Sequence, residues 1–225
     1  MFTDILQFLS ALKENNHKEW FDQNRDWYQK IKKDYEAFVA KLITEVQKID
    51  KSLGPLEVKD CTYRIYRDVR FSPDKTPYKT HMGAYIVKGG KKCQLGGYYF
   101  HLEPGNSLLA GGIWNPEAPV LKAIRSEIYS YTDEFLEIVE SKNFKKHFGE
   151  FDTDMGVLKS APKDFPKDFP QINYLKYKSY TISKPLPGNT VTDEKSLMNE
   201  CIEVFKAMQP MNAFFNRAVS EMGNG

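Results

Sequence analysis

Gly96-Gly97-Tyr98-Tyr99-Phe100-His101-Leu102-Glu103-Pro104-Gly105-Asn106-Ser107-Leu108-Leu109-Ala110-Gly111-Gly112-Ile113-Trp114 holds two apolar runs joined by a short turn signal, Pro104-Gly105-Asn106. Aromatic and β-branched side chains pack well on a pleated surface, and Tyr98-Tyr99-Phe100 marks the first run as a strand. A link this short cannot house the crossover that parallel strands need, so the pair reads as an antiparallel hairpin. Upstream, two more strand-like runs lie near residues 62–71 and 81–88. They are separated from each other by Pro73-Asp74-Lys75-Thr76-Pro77, and from the hairpin by Gly89-Gly90-Lys91. The four runs, near 62–71, 81–88, 94–102 and 107–114, form a meander.

Outward from the meander, the period changes from two to between three and four. Ile5, Leu6, Phe8, Leu9 and Leu12 form a helical stripe after Thr3, and Asn15-Asn16 ends it. A long helix is expected from about Lys18 to Lys51, on the stripe Trp20, Asn24, Trp27, Ile31, Tyr35, Phe38, Leu42, Val46 and Ile49, with Gly54-Pro55 beyond its end. After the meander, Asn115-Pro116 is expected to open a helical part over 115–150. A loop-rich part follows over 151–184, broken by Pro162, Pro166 and Pro170 and carrying one strand from Tyr174 to Ser183. A final helix over 192–222 contains Pro210. Helices, meander, helices, strand, helix is an α+β order. The expectation is a single domain over 1–225, with an antiparallel sheet of about five strands packed by helices from both chain ends.

Composition narrows the function classes. The chain has 225 residues and 31 aromatic side chains, enough for a large core. Its 32 Lys and Arg against 30 Asp and Glu give a net charge of +2, too little for a protein that coats nucleic acid or an anionic membrane. No apolar run approaches the roughly 20 residues of a membrane span, so no membrane partner is expected. The N-terminus has the pattern of no signal peptide. The cysteines, Cys61, Cys93 and Cys201, are odd in number and lack metal-ligand or redox spacing, which favours a reducing, cytoplasmic setting.

The net charge hides a local excess. Residues 59–92 hold nine basic side chains and three acidic ones, a net +6, while the remainder of the chain is −4. If 62–71 is a strand, Arg64, Tyr66, Asp68 and Arg70 share one face, and Ile65, Arg67, Val69 and Phe71 the other. Arg67 then sits among apolar neighbours and must find a carboxylate or carbonyls, because an unpaired buried charge is costly. Arg67 and Asp74 are accordingly expected as a structural ion pair, Asp74 also capping its turn. Arg64, Arg70, Lys75 and Lys79 are expected to bind a carboxylate or phosphate, with Asp68 and Tyr78 orienting the ligand or a neighbouring arginine. Guanidinium grips such groups bidentately, and ammonium acts as a point charge.

The run Arg64-x-x-Arg67-Asp68-x-Arg70-Phe71-x-x-Asp74-Lys75-x-x-Tyr78-Lys79 resembles the signature of an uncharacterised, mainly bacterial family known as domain of unknown function 2461. Asn15-Asn16 before Trp20-Phe21, Tyr98-Tyr99, and Pro162-Lys163 leading to Leu175-Lys176 are similar as well. The chain departs from the family pattern at Asp164 and at Asp168-Phe169-Pro170, where the pattern has Gly and Asp-His-Pro. The resemblance implies one domain and a bacterial cytosolic setting, and it implies no activity.

The other chemistry-bearing residues give weaker signals. No Gly-rich phosphate or dinucleotide loop follows a strand, and no Ser–His–Asp arrangement can be placed, so no cofactor is expected and a reaction stays unassigned. His17 and His147 read as surface residues. His101 and Glu103 share a strand face and are able to contribute to a site, but two ligands two residues apart do not define a metal centre, and none is expected. Lys163, Lys167, Lys176 and Lys178, interleaved with aromatics, permit single-stranded nucleic-acid binding by charge and stacking. A solvated rim on a core face is the simpler reading. The expected function is a basic cleft for a small anionic ligand. The alternatives are a module for nucleic acid or an acidic protein surface, and charges that serve the fold alone.

Overall fold

The computed structural model describes residues 1–222. In chain order it has α1 (Phe2–Glu14), α2 (Lys18–Gln23), α3 (Arg25–Ile49), α4 (Val58–Cys61), β1 (Met82–Ile86), β2 (Gly97–Leu102), β3 (Leu108–Ile113), α5 (Ala118–Ser130), α6 (Thr132–Glu140), α7 (Lys142–His147), α8 (Ile172–Leu175), β4 (Tyr180–Pro185), α9 (Gly188–Thr192) and α10 (Glu194–Glu221). The fold class is α+β, built on an antiparallel sheet in the order β1-β2-β3-β4. The strands neighbour each other in chain order; a short turn joins β2 to β3, whereas β3 and β4 pair across a long connection that carries α5 to α8.

The sheet has four strands, not five. The 62–71 run forms no strand beyond isolated antiparallel bridges, Thr62 with Ala84 and Tyr66 with Tyr78. The Tyr63 N–H donates to the Gly83 carbonyl on β1 at 3.2 Å, but from Ile65 onward the run bonds to the returning half of its own loop. The Arg67 N–H donates to the Pro77 carbonyl at 2.9 Å and the Lys79 N–H to the Ile65 carbonyl at 2.8 Å. Pro73 and Pro77 have no N–H to extend a ladder. Phe71, expected on the apolar face, is 94% exposed, whereas Ile65 is buried.

Helix boundaries differ from expectation for local reasons. The long N-terminal helix is two, because the Asn24 side-chain amide donates to the Trp20 carbonyl at 2.9 Å and closes α2 before α3 begins. The 115–150 part is three helices. Asn115 does not cap the first, since it sits at φ 47° and α5 starts at Ala118, with proline in its first turn. Ser141 caps α7 by accepting from the Phe144 N–H at 3.1 Å. The first part of the expected strand from Tyr174 is instead α8 and a turn, because the Tyr174 and Lys176 N–H groups bond back to Gln171 and Asn173.

Contacts group the chain into two units. The first comprises Met1–Lys91, Tyr99–Leu109 and Pro185–Glu203, and the second comprises Lys92–Tyr98, Ala110–Lys184 and the chain from Val204. The first unit's core joins α1 to α3 and to β2. Phe2 meets Phe38 edge-on at 4.9 Å, and Phe100 lies 5.5 Å from Phe38 and 5.9 Å from Tyr35. The second unit's core gathers Phe135, Phe151, Tyr180, Phe214 and Phe215, all buried, with Phe135 5.6 Å from Phe214 and Tyr180 5.3 Å from Phe215. Burying large aromatics in edge and tilted contacts supplies area and adds about 0.5–1.5 kcal/mol per pair.

Candidate functional site

Arg64, Arg67, Asp68, Arg70, Asp74, Lys75, Tyr78 and Lys79 all lie in the first unit. The loop 65–79 is organised around Arg67. Its guanidinium pairs with the Asp74 carboxylate and bonds the Thr76 hydroxyl, the Thr76 carbonyl at 3.1 Å and the Ser72 hydroxyl at 3.4 Å. Asp74 also accepts from the Thr76 N–H at 2.9 Å. That N–H, the Thr76 hydroxyl and Arg67 together hold the Asp74 carboxyl below the usual carboxylate range, so it stays ionised.

The expected ligand-binding residues divide. Arg70 is engaged by Asp68 in a two-point contact, Nε to Oδ1 at 2.9 Å and Nη2 to Oδ2 at 2.7 Å. This pair brings the exposed Asp68 carboxyl down to about 2. The Lys75 ammonium donates to the Val69 carbonyl at 3.0 Å. Tyr78 is buried, its ring stacked on Phe21 at 4.0 Å, and burial pushes its hydroxyl pKa up. The Asn16 amide brackets the Tyr78 backbone, accepting from its N–H at 3.0 Å and donating to its carbonyl at 2.9 Å. Tyr78 is thus a packing residue. Arg64 is exposed and has no hydrogen bond or ion pair among the described residues. The Lys79 ammonium lies 5.2 Å from the Tyr63 ring centroid. Partial burial lowers its pKa, and the charge of Arg64 lowers it further.

Beside Lys79 lies a cluster whose completeness the sequence reading missed. Alternation along β2 buries Tyr98, Phe100 and Leu102 and puts Tyr99, His101 and Glu103 on the opposite face. His101 Nδ1 shares a 2.9 Å hydrogen bond with the Tyr99 hydroxyl, and its Nε2 lies 3.1 Å from Glu103 Oε2. The Asn106 amide donates to the same carboxylate oxygen at 2.9 Å. His81, just before β1, brings its ring to 4.5 Å from that of His101. One register step along, Gly83 faces Tyr99, and a Cβ there would lie 2.6 Å from the Tyr99 hydroxyl oxygen. Gly83 therefore leaves the space in which Tyr99 reaches His101.

The electrostatics of the cluster are uneven. Burial pushes His81 down to about 4, helped by His101, so its imidazole is neutral at neutral pH. Burial works against ionisation of Glu103, but the hydrogen bonds from Asn106 and His101 outweigh it and hold the carboxyl below its ordinary value. Burial raises the Tyr99 hydroxyl far above its ordinary value. Tyr99, His101, Glu103 and Asn106 form one hydrogen-bonded chain, with a neutral imidazole against its middle. The available signal was the spacing Tyr99-x-His101-x-Glu103 on one strand opposite His81-x-Gly83 on the next. It becomes specific only when β1 and β2 are paired in this register. Of the other histidines, His17 is exposed beside α2, whereas His147 is half-buried, with its Nδ1 3.0 Å from the Lys184 ammonium.

A family model described as "Conserved hypothetical protein (DUF2461)" matches residues 4–214. Comparison with curated proteins and with solved structures yields no match.

Proposed function

The chain belongs to this family of conserved hypothetical proteins, which carries no assigned activity, and from that premise we propose that it binds a small carboxylate- or phosphate-bearing ligand at Arg64 and Lys79. The observation that carries the reading is a pair of neighbouring cations that form no ion pair with a carboxylate among the described residues, one of them half-buried at a cost in charge solvation. An anion placed between them would relieve the repulsion between Arg64 and Lys79 and restore what burial takes from the ammonium. Arg70 and Lys75 stand at the rim of this reading. The Arg70–Asp68 pair is largely exposed, 76% and 50% by side chain, and solvent screens such pairs, so an arriving bidentate anion can compete for Arg70. Asp68 then sets the direction of that guanidinium. Arg67 and Asp74 serve the loop that carries these groups rather than the ligand.

The reading takes 1–225 as one α+β domain, with the chain alternating between the two units rather than completing one before the other. It places the protein in a reducing cytoplasm, a setting favoured by three cysteines of which none is bonded to another. No helix among the described residues is long and apolar enough to cross a membrane.

A thermal-shift screen with sugar phosphates, nucleotides and organic acids tests the site. At least one such anion should raise the melting temperature of the wild type, and Arg64→Ala or Lys79→Ala should weaken its binding by roughly 10- to 100-fold, the worth of one or two charge-assisted bonds. Absence of a shift with every anion, or shifts in both variants equal to that of the wild type, rejects the site.

A further inference from the structure

We infer that His81, His101 and Glu103 form a binding site for a divalent first-row transition ion of the zinc class. One potential ligand atom from each residue lies within 4.8 Å of the other two. At metal–ligand bonds of about 2.1 Å, tetrahedral donors stand roughly 3.4 Å apart, so closing this triad on an ion needs movements of about an ångström. His101 Nε2 and Glu103 Oε2 are already 3.1 Å apart.

Three features make this more than a chance gathering. First, His101 is oriented from behind: the Tyr99 hydroxyl holds Nδ1 at 2.9 Å and turns Nε2 toward Glu103. With a metal on Nε2, the proton sits on Nδ1 and is donated to the Tyr99 oxygen, the outer hydrogen bond that ligating histidines ordinarily make. Second, Glu103 is oriented by Asn106, whose amide holds Oε2 at 2.9 Å. Third, Tyr99 stands on β2, the paired Gly83 on β1 vacates the volume that Tyr99 fills, and His81 and Glu103 lie directly at strand ends. Sites supported by strand residues hold their geometry better than sites on loops.

The donor set selects the ion. Two imidazoles and one carboxylate suit zinc and its first-row neighbours, whereas magnesium and calcium take oxygen ligands. Three protein ligands leave a coordination position for water or substrate, the arrangement of catalytic rather than structural zinc sites. The three residues are partly exposed, so that position has access to solvent. Lys79 opposes an added positive charge near His81, and the Glu103 carboxylate offsets it. The inference stands independently of the anion site at Arg64.

The test uses the full-length chain, stripped with a chelator and titrated with Co²⁺ by visible absorption and with Zn²⁺ by calorimetry, in a buffer without phosphate or carboxylates. One equivalent should bind, with the d–d bands of a four- or five-coordinate cobalt site, and Zn²⁺ should raise the melting temperature. His81→Ala and Glu103→Gln should each lower affinity at least 100-fold, and Tyr99→Phe about 10-fold. His17→Ala, which removes an exposed histidine outside the cluster, should leave metal affinity unchanged. Glu103→Gln keeps the side-chain shape, so its loss of metal at an unchanged apo melting temperature separates ligation from folding. Absence of a cobalt spectrum in the wild type, or wild-type metal affinity in both Glu103→Gln and His81→Ala, overturns the inference.

Discussion

Asp4 and Asn16 show how single polar groups fasten the N-terminal helices in ways that residue type alone does not reveal. Asp4 on α1 reads as an ordinary first-turn acid, yet it accepts from the Trp27 indole at 2.8 Å and the Lys30 ammonium at 2.6 Å, tying α1 to α3. These two bonds, that of Lys30 first, hold its carboxyl below the ordinary value of 3.8. A carboxyl whose pKa is lower folded than unfolded stabilises the fold above its unfolded pKa. That contribution is lost as pH falls through the folded value. The gap in stability between wild type and Asp4→Asn should therefore be about 1 kcal/mol at neutral pH. It should shrink as pH falls below the ordinary value of 3.8. Denaturant melts of both proteins along a pH series check this, and a pH-independent gap would show that the charge of Asp4 contributes nothing. Arg67 has the partners that its sequence setting asks for, though from its own loop and not beneath an apolar strand face, since Phe71 on that supposed face is 94% exposed. The Asn16 bracket on Tyr78 was not legible, since it joins residues 62 apart and sequence separation carries no trace of it.

Elements were legible where one periodicity governed a whole run and misread where local hydrogen bonds competed with it. The hairpin of β2 and β3 follows from its alternation and its Pro-Gly-Asn turn. The 62–71 run has the same alternation, but its backbone groups bond within the 65–79 loop, and Arg67 at the centre rewards that closure. The His81–His101–Glu103 cluster stayed hidden for a related reason: it needs the pairing register of two strands, and a slip of one residue would put every member on the wrong face. Gly112 on β3 is a close backbone approach that alternation does not reveal: it sits at φ 103° with its Cβ position 2.0 Å from the Tyr180 carbonyl oxygen on β4. A side chain there meets both a forbidden dihedral and a backbone atom that moves only with its strand. Gly112→Ala should cost at least about 2 kcal/mol, more than the left-handed penalty alone. By contrast Gly105→Ala, with open space around its Cβ position, should cost only the dihedral term of about 1–2 kcal/mol. Chemical denaturation of the two variants settles the comparison, and equal losses would mean that β3 and β4 separate easily at this point.

At the scale of the molecule, the question is what a +6 segment on a −4 body can attract. Taken as bare charge, residues 59–92 suggest a nucleic-acid surface. The structure spends much of that charge internally. Arg67 pairs with Asp74, Arg70 with Asp68 and Lys59 with Glu57, while Lys75 and Lys91 bond backbone carbonyls. Among the described residues Arg64 and Lys79 are neighbours in no ion pair with a carboxylate, and Lys88 and Lys92 are exposed and unpaired as well; the proposed site at Arg64 and Lys79 suits one anionic group rather than a track for a backbone. The two readings separate in the salt dependence of binding, because each phosphate neutralised on a single strand contributes a slope of about −0.7 to log K against log salt. Two cations give a slope near −1.4, and a surface using six or more gives about −4 or steeper. An oligonucleotide should therefore bind this protein no more tightly than a nucleoside monophosphate at physiological salt, with a slope no steeper than about −1.5 for either. Fluorescence anisotropy with a labelled oligonucleotide, repeated across salt concentrations with the mononucleotide as competitor, measures both quantities. A slope near −4 would mean that the internal pairs open to a polyanion, and the mildly acidic body would then be a carrier for a nucleic-acid surface instead of a frame for a small anion site.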